Sequence, residues 1–322
     1  MNEAGVGLDL EPALCCLCGV EDVDPVAVGE DFEYRTSPDS FLAVRCRRCQ
    51  MVYLNPRPAL SAMARIYPDR YHAFQFDAAE FGLVYRIRRR LEARRLLKWC
   101  RGLPANARIL DVGCGDGFHL SLLRDYGSKY WTLDGIDADE RAIRAGHARG
   151  LDVRQGTIET LDIPRETYDL VLLIMTVEHV PDPKALLVAI RNCLKPGGRV
   201  VVVTDNAASP DAWLFRGRHW GGYHFPRHLY LFNSHNLTGL ARVAGLAPVR
   251  VRSAMSPVNW VYSIRNLLDD WGFPKWCVNR FSLKGIFALS AFTVWDSILN
   301  LFGCGGILQA VFERPAETQV QP

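Results

Sequence analysis

From residue 105 to 206 the chain repeats one unit: a short apolar run, a polar or glycine-rich break, then apolar residues at helical spacing. Strands are expected at 108–112, 131–136, 151–154, 169–174 and 199–204, and helices at 117–126, 138–148 and 183–194. Apolar runs alternating with helices predict an α/β fold whose sheet is mainly parallel and covered on both faces. Downstream, Ser234 caps a helix over 234–244 that Gly245 ends, and 248–252 and 306–314 add two strands, for a sheet of seven. Residues 256–303 then stand as an apolar insertion before the last strand. Upstream, 78–101 reads as a helix with Leu83, Ile87, Leu91 and Leu97 as its buried stripe and arginines and lysines over the rest.

The first of these strands runs into Asp111-Val112-Gly113-Cys114-Gly115-Asp116-Gly117. Alternate glycines let the backbone turn tightly and approach a ligand with no Cβ in the way. A helix starting there aims free N–H groups at whatever lies over the strand ends. The spacing is not that of a dinucleotide-binding loop, because Phe118 stands where the third glycine would fall. The second strand ends in Asp137, about 20 residues beyond the glycines, where ribose hydroxyls are commonly held.

Tyr168-Asp169-Leu170-Val171-Leu172-Leu173-Ile174, Val177-Glu178-His179-Val180 and Leu194-Lys195-Pro196-Gly197-Gly198-Arg199 follow in that order. Together these motifs closely resemble the class I S-adenosylmethionine (SAM)-dependent methyltransferases over residues 105–206. The resemblance implies a Rossmann-like sheet with SAM at its carboxyl edge. Gly113, Gly115 and Gly117 would shape the methionine end, Cys114 would be a small turn residue among them, and Asp111 would order the loop and face the methionine amine. Asp137, followed by Ala138, would hold the ribose. Gln155-Gly156-Thr157-Ile158-Glu159 would meet the adenine, with Thr157 where many relatives have Asp. Glu178 and His179 fall on the reactive side of the pocket, and their pairing is similar to that in ubiquinone-type O-methyltransferases. Some of those carry another Glu three positions earlier; Met175 stands there here, so metal-assisted transfer is not expected.

Cys15-x-x-Cys18 and Cys46-x-x-Cys49 are separated by 27 residues. Two tight turns, each presenting two thiolates, supply a tetrahedral Zn²⁺ site, and four protein thiolates leave no open position for catalysis. A small zinc-ribbon-like module with one structural zinc is expected, and a subgroup of the resembling family carries such a module at its N-terminus. The chain then divides into a zinc-binding module at 13–58, a linker and basic helix at 59–104, a SAM-binding core at 105–255, the insertion at 256–303, the last strand at 304–314 and a tail at 315–322. The first residues are acidic and lack the basic and apolar regions of a signal peptide, so a cytoplasmic location is expected.

Three of the chain's eight histidines fall in Arg218-His219-Trp220-Gly221-Gly222-Tyr223-His224-Phe225-Pro226-Arg227-His228. Its place after the fifth strand puts 216–232 over the pocket as a lid. Imidazole titrates near neutrality and can take a proton from a hydroxyl as the methyl transfers. His224 or His228 is the expected base, with His219, His179 and Glu178 in reserve. The insertion carries Trp260, Trp271, Trp276 and Trp295, and its uncharged run, interrupted at Asp296, is too short to span a bilayer. A core helix pair, a dimer face and an interfacial membrane helix all fit; contact with a lipid or a hydrophobic acceptor is the reading preferred.

A net charge of +3 is too small for nucleic-acid binding by the whole chain. A mean hydropathy of −0.02 argues against a multi-span membrane protein. The expected activity is methyl transfer from SAM to a small-molecule, glycan or lipid-linked acceptor, at a hydroxyl oxygen with a lid histidine as general base. One alternative is C-methylation of a nucleotide sugar, whose zinc-module enzymes are generally longer. Another is RNA methylation by a zinc-module RNA-binding protein, against which the lack of an Asn-Pro-Pro-Tyr motif counts. Peripheral membrane contact through 256–303 and the oligomeric state are left open.

Overall fold

The structure is a computed structural model that describes residues 7–68, 71 and 78–316; between 78 and 88 the only side chain described is that of residue 86. The N-terminal part contains β1 (Leu10–Glu11), β2 (Val23–Glu30), β3 (Ser40–Cys46), β4 (Val52–Leu54) and β5 (Arg57–Pro58), then α1 (Met63–Ile66) and α2 (Ala78–Trp99). Next come β6 (Arg108–Val112), α3 (Phe118–Tyr126), β7 (Thr132–Asp137), α4 (Glu140–Ala148), β8 (Asp152–Gln155), β9 (Tyr168–Ile174), α5 (Pro183–Cys193) and β10 (Leu194–Asp205). After α6 (Pro210–Leu214), β11 (Tyr230–Leu231), α7 (Ser234–Val243) and β12 (Ala247–Ala254), the helices α8 (Pro257–Asp270), α9 (Lys275–Val278) and α10 (Ile286–Leu301) precede β13 (Ile307–Glu313).

Seven strands form the main sheet in the order β12-β13-β10-β9-β6-β7-β8. All run parallel except β13, which is antiparallel to both of its neighbours. The central strand β9 is buried at every position, which is why its sequence is continuously apolar after Asp169 rather than alternating. The expected mainly parallel sheet of seven is therefore the observed one, and α8–α10 fill the space between its last two strands in sequence.

A second sheet, β11-β4-β3-β2, is antiparallel. Its edge strand comes from the segment expected as a lid, which is buried throughout from 225 to 231: Tyr230 pairs with Tyr53 and Leu231 with Val52. Leu229 joins the two sheets, donating its N–H to the Glu178 carbonyl (2.8 Å) and accepting from the Leu54 N–H (2.9 Å). One apolar cluster runs through both, from Phe41 and Tyr53 to Leu173, Val202 and Phe232.

The stripe expected on the basic helix is corrected in part. Leu91 is exposed and Leu97 half-buried; Ala93, Leu96 and Trp99 face the core instead, while Leu83 and Ile87 lie outside the described side chains. The rotation follows from polar contacts of α2 with α3. Arg89 reaches Asp125 (2.6 Å) and Ser121 (3.1 Å) and lies over the Phe118 ring, which turns the Ala93–Leu96 face toward Leu122 and Leu123.

Candidate active site

Asp111, Asp137 and the glycine loop stand at the carboxyl ends of β6 and β7, the edge at which parallel α/β sheets bind ligands. Gly113, Gly115 and Gly117 have φ of 71°, 54° and 75°, a region that costs any residue with a Cβ. At Gly113 a Cβ would also sit 2.5 Å from the Thr176 side chain, so the glycine loop packs directly on the loop that carries Glu178 and His179. A Cβ on Gly115 would meet nothing within 4 Å, so this glycine borders open space. The Asp137 carboxylate accepts the Gly115 N–H (2.8 Å) and the Asp139 N–H (2.9 Å), so it orders the loop besides facing any ribose. Burial raises its pKa, against those backbone bonds.

Asp111 is the exceptional acid. It is 1 % exposed, and its Oδ2 has no hydrogen-bond partner among the described residues. Burial, then the Asp137 and Asp116 carboxylates, push its carboxyl up to about 8. His119 Nδ1 lies 3.8 Å from Oδ2, beyond hydrogen-bond reach, so the buried carboxyl keeps an acceptor site suited to a cation. Ile158 is buried beneath the loop after β8, whereas Thr157 is exposed and its N–H is held by Thr160 Oγ1 at 2.9 Å.

On the far side of Thr176 three of the four candidate histidines converge. The His228 ring centroid lies 4.7 Å from that of His179 and 4.9 Å from that of His224. His228 Nδ1 is 2.8 Å from the Gly222 carbonyl and His179 Nδ1 is 3.1 Å from the Arg227 carbonyl. A carbonyl only accepts, so both rings carry their proton on Nδ1 and turn basic Nε2 the other way. Burial, reinforced by the neighbouring imidazoles, lowers both pKa values, His179 to about 3. These rings stay neutral well below the ordinary imidazole range. His219 stands apart, bound to Asp270 at 2.9 Å.

Glu178 is buried beside them, and neither of its oxygens accepts a hydrogen bond of normal geometry from a described residue. Burial and the Asp205 carboxyl push it up to about 8. Asp205, itself pushed up to about 7 by burial, lies 3.6 Å from His228 Nδ1. Glu178, His179 and His228 each place a ligand atom within 4.8 Å of the others, so the three can hold a divalent cation.

Several members of this site are absent from the sequence reading. Glu33 Oε2 lies 2.7 Å from His224 Nδ1, and both line a cleft with Trp220, Tyr262 and Asn266. Asp31 holds the fully buried Arg227 through Nη1 (3.1 Å) and Nη2 (2.8 Å). Tyr67 Oη is 3.0 Å from His179 Nδ1, and the Tyr67 ring meets that of Tyr71 edge-on at 5.1 Å. The available signal was charge: Glu30, Asp31 and Glu33 sit among aromatics, and the 218–228 segment carries Arg and His with no acid.

The four cysteines expected to bind metal converge as well. Sγ distances are 3.3 Å for Cys15–Cys49, 3.4 Å for Cys18–Cys46 and 3.7 Å for Cys18–Cys49. A tetrahedral Zn²⁺ with Zn–S near 2.3 Å sets sulfurs about 3.8 Å apart, so the donor set fits zinc.

Residues 85–251, more than half of the chain, match a methyltransferase domain family. The chain belongs to the SAM-dependent methyltransferases of class I. A ubiquinone biosynthesis O-methyltransferase of Cereibacter sphaeroides is 35% identical over 178 residues, covering 49% of this chain and 67% of the relative. Another, of Bordetella bronchiseptica, is 32% identical over 177 residues, covering 51% and 72%. Among solved structures, a SAM-dependent methyltransferase of Thermotoga maritima overlaps 76% of this chain and 98% of its own, with 19% identity and a TM-score of 0.47. The residues present fit SAM: Gly115 borders open space, Asp111 has a buried oxygen that accepts no hydrogen bond from a described residue and can take one from an ammonium, and Asp137 presents an acid for a diol.

Proposed function

We propose that the protein methylates a hydroxyl oxygen of a small-molecule, glycan or lipid-linked acceptor, with His224 as general base. The observation that carries this reading is the Glu33–His224 pair in the cleft. A carboxylate on Nδ1 holds the imidazole proton there and leaves Nε2 as the basic nitrogen, the arrangement a general base needs. SAM supplies a methyl on a sulfonium, already a strong electrophile. With SAM held by Asp111, the glycine loop and Asp137, His224 Nε2 would take the acceptor O–H proton while the acceptor oxygen takes the methyl, leaving the sulfonium as the neutral thioether. The neutral His179 and His228 rings pack against His224 without adding positive charge beside it. O-methylation by the named relatives supports the same acceptor atom.

Acceptors from a panel of phenols, glycans and lipid-linked sugars, assayed with labelled methyl donor, provide the test. His224→Ala should lower turnover by about 10²–10⁴-fold with SAM affinity unchanged, and Glu33→Gln should give a smaller loss. Wild-type turnover should fall toward acid pH as the base is protonated. Full turnover in His224→Ala would end this reading. The Glu178 carboxylate supports a second one, in which a divalent cation held with His179 and His228 activates the acceptor oxygen. Turnover lost on chelation and restored by an added divalent ion, with His224→Ala active, would favour it.

A further inference from the structure

The helices between β12 and β13 present a surface that neither methyl transfer nor the fold requires. α10 is 16 residues long and carries one charged side chain, Asp296. That acid is fully buried and accepts the Ser256 N–H (2.5 Å) and the Trp260 Nε1–H (3.2 Å), so it anchors α10 inward and leaves the outer face uncharged. Phe287 is 92% exposed, Leu301 83% and Phe302 78%, and Ile286, Trp271 and Trp276 are also exposed. A helix on the surface of a water-soluble protein normally places charges there.

The charges that fringe this face share one sign. From Trp271 to Phe302 the charged residues other than buried Asp296 are Lys275, Arg280 and Lys284, all exposed. The preceding acids face cations: Asp270 faces Arg218 and His219, and Asp269 faces both Arg35 and Lys275, so Lys275 is shared between Asp269 and the surface while Arg35 supplies Asp269 with a second cation. Exposed tryptophan and phenylalanine bordered by lysine and arginine match the boundary between anionic headgroups and acyl chains. A symmetric pairing of two copies would instead bring three like charges of each copy to one seam. Crossing a bilayer is excluded on length: 16 residues reach about 24 Å against a hydrocarbon core of about 30 Å.

We propose that the α8–α10 layer is a membrane-docking face, with α10 lying in the interface of an anionic bilayer and Lys275, Arg280 and Lys284 at lipid phosphates. The face adjoins the candidate active site through one helix. Trp260 of α8 stacks on Phe292 of α10 at 5.8 Å, while Tyr262 and Asn266 of α8 line the cleft with Glu33 and His224. If the acceptor reading holds, this adjacency favours a lipid-linked acceptor among its classes; docking itself does not rest on that reading.

Flotation of the full chain with vesicles tests the docking face. Vesicles of phosphatidylglycerol and phosphatidylethanolamine should carry the protein up the gradient, phosphatidylcholine vesicles should not, and raised salt should weaken the effect. The pair Phe287→Glu with Leu301→Glu, and separately the triple Lys275→Glu, Arg280→Glu, Lys284→Glu, should each weaken binding at least about tenfold. Unchanged SAM affinity by calorimetry would show that both variants fold. Failure of the wild type to float with anionic vesicles overturns the proposal, as do variants that float like the wild type. A dimer in sedimentation that Phe287→Glu with Leu301→Glu dissociates, without flotation of the wild type, would assign the face to a second copy instead. Flotation without methylation of any lipid-linked acceptor would retire the acceptor class alone.

Discussion

Buried carboxyls dominate the site at the scale of single residues. Asp111 and Glu178 are pushed up to about 8 and Asp205 to about 7, so all three are largely neutral in the folded chain at mildly acid pH and ionised in the unfolded one. A raised folded pKa contributes stability that is lost as pH rises toward it. His179 and His228 have lowered folded values, and their contribution is complete once pH exceeds the unfolded imidazole value of about 6.5. Above pH 6.5 these two imidazoles therefore add no further pH dependence, and the raised carboxyls still do. Without SAM, stability measured by denaturant titration should fall between pH 6.5 and about 8, and Asp111→Asn should remove up to about 1.4 kcal/mol per pH unit of the fall. A slope unchanged by Asp111→Asn would mean that this carboxyl is ionised in the folded chain. Asp111, Asp137 and the glycines were legible in the sequence because strand-end acids and positive-φ turns are local features. Glu33 and Asp31 were not, because their importance comes from His224 and Arg227, almost 200 residues away.

Although β10 starts at Leu194 rather than 199, because the Lys195–Gly198 turn is taken into the strand through an irregular register, most element boundaries in the core were legible to within one or two residues. The face of α2 was not, because polar contacts with α3 chose it over the more hydrophobic alternative. The role of β11 was also hidden, as two residues in an aromatic segment carry no periodicity. Its pairing with β4, and the bonds of Leu229 to Leu54 and Glu178, connect the cysteine-bearing sheet to the histidine cluster. If zinc is held by Cys15, Cys18, Cys46 and Cys49, elemental analysis should give one zinc per chain and Cys46→Ser should release it. Release should lower turnover while leaving SAM affinity within about twofold, because the glycine loop and Asp137 depend on neither the cysteines nor β11. Metal-free protein of equal stability and activity would count against the zinc site.

The molecule as a whole is bound together by an apolar cluster common to both sheets and by the buried Arg227–Asp31 pair. Asp31→Asn removes the acid that pairs with a guanidinium that is 0% exposed, and breaking such a pair costs about 3–5 kcal/mol. Calorimetry should show one unfolding transition in the wild type and one in Asp31→Asn, at lower temperature. Two resolved transitions would mean that the N-terminal sheet and the main sheet melt independently. The same continuity governs how such a chain could be recombined. A graft of residues 13–58 from a relative would arrive without its edge strand, and its acid at position 31 would meet a foreign partner. A working chimaera should therefore import the stretch from Phe225 to Leu231 along with the N-terminal sheet, and one that keeps the host's own stretch should melt at lower temperature.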